Sequence, residues 1–140
     1  MRAPTSAKDY LGRALRHDKA GREAQAVADY MHALKLGLDG ADERIALICL
    51  ASSHRNLGEH DQALKVISRA RRRYPEDPVV EAFAALILLD AGQPNRAVRI
   101  LGLALCNHAR PDALDGFDTV LTRKFRGATR PSAAKESGQR

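Results

Sequence analysis

Small and apolar positions repeat along this chain in a fixed register. Gly21, Gly58 and Gly92 are each followed five residues later by alanine, at Ala26, Ala63 and Ala97, and seven residues after that by another, at Ala33, Ala70 and Ala104. Ala14, Ala51 and Ala85 stand seven residues before the same three glycines. The pattern predicts helix, glycine turn, helix, three times over. Glycine supplies the left-handed backbone that ends the first helix and lets the chain reverse. The small residues fall where two antiparallel helices cross closely, and a larger side chain there would push the axes apart. Pro75 stops the second helix of the middle unit, and Asp77 with Pro78 makes a cap and first turn for the helix that follows.

The units run over about 7–38, 44–77 and 78–110. Gly58 and Gly92 are 34 residues apart and Gly21 and Gly58 are 37 apart, with the three extra residues in "GLDGADER", an expected loop between units. A stack of hairpins must cover its last unit or leave an apolar face in water. After Pro111, Leu114, Phe117, Leu121 and Phe125, with Val120 beside them, share one face at helical spacing. They predict a seventh, capping helix over 111–126, ended by Gly127. The expected fold is therefore all-α, one domain over 1–127 built as a solenoid of three helix-turn-helix repeats with a C-terminal capping helix. The basic segment 128–140, "ATRPSAAKESGQR", has no apolar periodicity and is expected to be a disordered tail.

With these residues in register, the chain resembles a tetratricopeptide-repeat protein, whose unit is about 34 residues. The stretches "GLDGADERIALICLASSHRNLGEHDQAL" and "YPEDPVVEAFAALILLDAGQPNRAV" resemble a family of short bacterial members, and the similarity spans roughly Ala14 to Leu105. Where the motif often has tryptophan the chain has Tyr10, Leu47 and Glu81, and where it often has tyrosine it has His17, His54 and Leu88. The resemblance implies that the first helix of each unit lines a concave groove. Its residues would be Lys8, Leu11, Leu15, Asp18 and Lys19, then Ile45, Ile48, Ser52, Arg55 and Asn56, then Val79, Ala82, Leu86, Leu89 and Asp90. The implied function is a non-enzymatic scaffold or adaptor that takes a helical or extended apolar peptide, or a second copy of itself, in that groove. Relatives that grip a peptide's C-terminal carboxylate use lysine, asparagine and arginine at groove positions where this chain has Leu11, Leu15, Cys49, Val79 and Phe83, so a carboxylate clamp is not expected.

The third unit's first helix, "VVEAFAALILLD", is apolar almost all round, and such a helix must be buried on nearly every side. Its neighbours in the stack cover only part of it. The remaining face calls for a partner's amphipathic helix, a second copy, or the capping helix folded inward.

Composition narrows the picture further. The chain has 140 residues, 44% hydrophobic and 29% charged, with no tryptophan, so one domain with a leucine and alanine core is expected. The longest apolar run is interrupted by Glu81 and is too short to span a bilayer. Lys8, Asp9, Arg13 and Arg16 break up any export signal, and the isolated Cys49 and Cys106 fit a reducing compartment, so a cytoplasmic protein without membrane contact is expected. A formal net charge of +6 and the cluster Arg69, Arg71, Arg72 and Arg73 open the alternative of a basic nucleic-acid-associated protein. Against it, these arginines fall in the last turn of a helix, where unpaired carbonyls favour cations, Glu76 and Asp77 lie close by, and no aromatic residues interleave for base stacking. His17 and His54 occupy equivalent positions in successive units. Their spacing to each other and to Cys49 matches no zinc pattern, and they read as packing residues. Nothing resembles a phosphate-cradling glycine loop or a nucleophile elbow, so neither a catalytic residue nor a cofactor or metal is expected.

Overall fold

The structure, a computed structural model, describes residues 2–129. Its described residues form helices and turns without a strand: α1 (Ala7–Lys19), α2 (Glu23–Leu36), α3 (Gly40–Asn56), α4 (His60–Arg73), α5 (Pro78–Asp90), α6 (Pro94–His108) and α7 (Asp118–Arg126), then a 3-10 turn over Gly127–Thr129. Side-chain caps account for two of the starts. The Ser6 hydroxyl accepts from the Asp9 N–H while the Asp9 carboxylate accepts from the Ser6 N–H, which closes a capping box at α1. Asp77 accepts from the N–H groups of Val79 and Val80 with Pro78 first in α5, as the Asp-Pro pair predicts. Gly21, Gly58 and Gly92 adopt φ of 72°, 76° and 78°, the left-handed region the hairpin turn demands. The residue after each glycine donates back into the helix it leaves, Arg22 to His17, Glu59 to His54 and Gln93 to Leu88, so one turn is built three times.

Two boundaries differ from the sequence expectation. "GLDGADER" is only partly loop, because α3 starts at Gly40 and runs 17 residues against 13 in α1 and α5. The insertion therefore lengthens a helix. Asp42 and Glu43 suit its first turn, and the Tyr74 hydroxyl, which donates to Glu43 at 2.7 Å and lies 3.0 Å from the Gly40 carbonyl, fastens that turn to the end of α4. The helix expected over 111–126 begins at Asp118, because Asp115 and Gly116 both take positive φ, 48° and 79°, and break it. Leu114 is left in the preceding turn, and Gly127, at φ −81°, continues into the 3-10 turn. The tail expected over 128–140 lies, from residue 130 on, outside the described residues.

The alanines of the register sit at the crossings. Ala14, Ala26, Ala33, Ala51, Ala63 and Ala70 are all wholly buried. One core cluster joins Leu11, Ala26, Tyr30 and Ala33 of the first unit to Ala46 and Leu50 of the second. A second joins Leu47, Ile48 and Ile67 of the second unit to Val80, Ala84 and Ile87 of the third. Among the described residues the first helices touch in series, α1 on α3 and α3 on α5, whereas α2, α4 and α6 do not touch one another. The stack therefore curves with its first helices on the inside.

Arginine–carboxylate pairs tie the units together. Arg44 on α3 donates two bonds to Asp77 at the start of α5, Arg55 reaches Asp90 at 2.6 Å, and Arg71 on α4 donates twice to Glu81 on α5. Asn56 donates to Glu23 at 3.1 Å across the first junction. Within the first unit Arg13 forks onto the buried Asp29. The Tyr74 hydroxyl first, and then Arg73, hold the Glu43 carboxyl below its ordinary range; Arg13 does the same for Asp29 and Arg44 for Asp77. Depressed carboxyls add stability above their unfolded values, 3.8 for aspartate and 4.5 for glutamate, and that stability disappears as pH falls through the folded values. Melting temperature is therefore expected to hold steady from neutral pH down to that range and then to fall steeply. Asp77→Asn keeps a capping oxygen but loses the charge. It should cost about 1 kcal/mol at neutral pH and make the acid decline shallower, read by circular dichroism melts across pH.

Candidate functional site

Overlaying the units on their turn glycines shows what each surface was built to meet. Tyr30, Ile67 and Leu101 occupy one position, and the first two are 0% and 2% exposed because the next unit's first helix lies over them, whereas Leu101 is 52% exposed. Val98 matches the partly buried Val27 and Leu64 and is half exposed, and Leu105 matches the partly buried Leu34 of the first unit and Arg71 of the second, which pairs with Glu81. The C-terminal face of the stack is thus a stacking surface with most of its cover missing. Each half-exposed leucine there forgoes about 1 kcal/mol of burial.

Helix α7 covers a part of it. It packs on α6 alone, without touching α5, whereas α3 and α5 each contact both helices of the unit before them. Its hold is the Phe125 ring, seated on Gly102 so closely that a methyl at 102 would overlap the ring. No residue of α7 is fully buried, and Phe117, expected on its apolar face, is 62% exposed. Two apolar cavities, which share Val98 and Leu101, remain on this face. One, of about 620 Å³, lies between α6 and Phe125. The other, of about 360 Å³, lies between α5 and α6 and is lined by Ala82, Leu86, Leu89, Val98 and Leu101, with Ala85, Pro94 and Ala97 behind and no charged side chain.

Of the expected groove residues, Ala82, Leu86 and Leu89 come together in this second cavity. Leu15, Ile45 and Val79 are partly exposed on the first helices but lie outside it. Leu11 and Ile48 belong to the core: Leu11 packs with Tyr30 and Leu50, and Ile48 with Ile67 and Val80, so neither offers a surface. Ser52 is half-buried, and Arg55 is committed to Asp90. Val98, Leu101, Leu105 and Phe125 carry as much of the apolar face as α5 does. The glycine alignment marks Val98 and Leu101, since their counterparts in both earlier units pack into the cores shared with the next unit.

Three of the four clustered arginines are paired, by partners other than those near them in sequence. Glu43 takes Arg73 at 2.9 Å and Arg69 at 3.7 Å, and Glu81 takes Arg71 at 2.8 Å. Glu76 pairs with none of the four, Asp77 is held by Arg44, and Arg72 alone has no carboxylate partner among the described residues. His17 accepts from Arg22 at 2.9 Å and stands 3.7 Å from Asp29. His54 is buried, 3.7 Å from Glu59. Burial raises the Cys49 thiol above its ordinary value, the opposite of a reactive cysteine. Among the described residues no three His, Cys, Asp or Glu side chains gather to hold a metal ion, and no helix is long and apolar enough to cross a membrane.

Helical hairpins that stack in chain order, each closed by the same glycine turn and joined by shared cores, define a helical-repeat solenoid, a class that works by presenting surface to other proteins. The chain belongs to the tetratricopeptide-repeat family: a model described as a tetratrico peptide repeat matches residues 8–111. No curated protein matches the chain. The match ends before α7, the part of the fold that departs from the repeat.

Gly102→Ala tests the attachment of α7. The variant should free residues 118–126, raising their amide exchange roughly tenfold or more, while the melting of the stack over 7–108 shifts by less than about 1 kcal/mol. Unchanged protection in α7 would mean that Phe125 is not what holds it.

Proposed function

We propose that the protein is a non-enzymatic interaction module that binds an apolar helical or extended segment, or a second copy of itself, with Leu86 and Leu89 at the centre of the contact. The observation carrying this reading is the uncharged cavity between α5 and α6, where two first-helix leucines and two second-helix residues lie open together. The reading narrows the expected groove to its C-terminal end, since further along the inner wall Arg55 is tied to Asp90 and Leu11 and Ile48 are buried. A basic nucleic-acid role is less well supported, because three of the four clustered arginines already face carboxylates. The free thiols of Cys49 and Cys106 fit work in a reducing compartment such as the cytoplasm.

The test is a comparison of wild type with Leu86→Glu. Leu86 is 41% exposed, so the fold should tolerate the change, whereas a carboxylate in an apolar contact should weaken binding by roughly 2 kcal/mol, about thirtyfold. Wild type used as bait on lysate of its source cell, alongside a light-scattering mass, should lose its partner or its second copy on substitution. If both capture and mass are unchanged in a folded variant, Leu86 is not in the contact.

A further inference from the structure

The two ends of the stack are built differently, and the difference names an occupant. In the second and third units the positions turned toward the preceding unit are Ala46, Cys49, Leu50 and Ser53, then Val80, Phe83, Ala84 and Ile87, and most of these lie in the shared cores. The same positions in α1 are Asp9, Gly12, Arg13 and Arg16. Asp9 is engaged in the capping box, Arg13 in the fork onto Asp29, and Arg16 is exposed. The N-terminal end is therefore closed by charge and cannot serve as the missing next unit for the apolar end of another copy. Head-to-tail chaining is excluded on desolvation grounds, since it would press Arg16 and Asp9 onto leucine.

The C-terminal face, in contrast, carries both halves of a stacking contact. Helix α6 presents Val98, Leu101 and Leu105 at i, i+3 and i+7, three of the four positions at which Val80, Phe83, Ala84 and Ile87 of α5 seat themselves on the second unit, the fourth, Gly102, being taken by Phe125. Beside that stripe lies the cavity formed with Leu86 and Leu89, open to receive such a helix. No segment of residues 130–140 supplies a leucine, isoleucine, valine or aromatic side chain to fill it. Leu86, Leu89, Val98, Leu101 and Leu105, each about half exposed, together offer on the order of 400 Å² of apolar surface, the share expected of the apolar centre of a standard interface of roughly 800 Å² per partner.

We infer that the occupant is a second copy of this chain, joined tail to tail: the α6 stripe of each copy lies against the α5/α6 cavity of the other, with Leu101 near the two-fold axis. This rests on the reading of the α5/α6 face as a contact surface and adds the identity and symmetry of what covers it. An isologous pair of this kind closes on itself, buries both apolar ends and leaves the two charged N-terminal ends outward.

Sedimentation equilibrium and light scattering on the full chain decide it. The expected mass is twice 15.3 kDa, unchanged by nuclease treatment and by high salt. Leu101→Glu, placed twice across the axis, should weaken self-association by roughly a hundredfold or more with its helical circular dichroism retained. Arg16→Glu at the opposite end should leave the pair intact. A monomer at all concentrations, a dimer lost to nuclease or salt, a dimer that survives Leu101→Glu, or one that dissociates with Arg16→Glu each overturns the proposal. Should Leu101→Glu melt the stack, Leu105→Gln supplies the same readout from a more peripheral position. A monomeric wild type whose bait capture is still lost with Leu86→Glu rejects the second copy while leaving the contact surface standing.

Discussion

A helical hairpin of this length cannot bury both of its broad faces, and everything else in the structure follows from that constraint. The turn glycines and the wholly buried alanines bring two helices close enough to share one face. The other faces are satisfied only by the neighbouring unit, which is why Tyr30 and Ile67 disappear from solvent under Ala46 and Leu50 and under Val80 and Ile87. Burial is thus a property of junctions, and a stack of three units has two junctions and two ends. The ends are where the chain must choose between charge, a cap and a partner.

Polar contacts reinforce the junctions and set their register. Arg44 with Asp77 and Arg55 with Asp90 each span one repeat along the inner helices, and Arg71 with Glu81 spans the second to third unit from the outer side. Pairs of this exposure contribute little singly. Their value is positional, because a forked guanidinium on a helix-capping carboxylate admits one arrangement of the two helices. Of these arginines only Arg71 belongs to the basic cluster; Arg69 and Arg73 share Glu43, so three of the four clustered arginines are paired within the fold.

The repeat, its turns and the Asp77 and Pro78 helix start were legible in the sequence because each rests on local chemistry: glycine φ, small residues at crossings, a capping carboxylate. What was not legible depended on contacts distant along the chain. Gly40 to Glu43 looked like loop, and only Tyr74, 34 residues on from Gly40, shows why the turn is helical. The arginines were expected beside Glu76 and Asp77 and instead meet Glu43 and Glu81, which helix packing brings to them. The apolar character of α5 was plain. That the open face is shared with α6 required comparing second helices as well as first, because Leu101 stands out only against its buried counterparts Tyr30 and Ile67.

Helix α7 shows why an amphipathic pattern is a weaker guide at the end of a stack than inside it. Leu114, Phe117, Leu121 and Phe125 have helical spacing, yet positive φ at Asp115 and Gly116 splits the group, and a nine-residue helix has little stability of its own. What orders α7 is the absence of a side chain at Gly102, which lets Phe125 reach the α6 backbone. At the matching positions of the first two units stand Met31 and Ser68, so this notch is a feature of the third unit alone. A helix fixed at one point on α6, and clear of α5, borders the apolar face without closing it. The cavity between α6 and Phe125 and the open one between α5 and α6 are consistent with that geometry, as is the exposure of Leu86, Leu89 and Leu101.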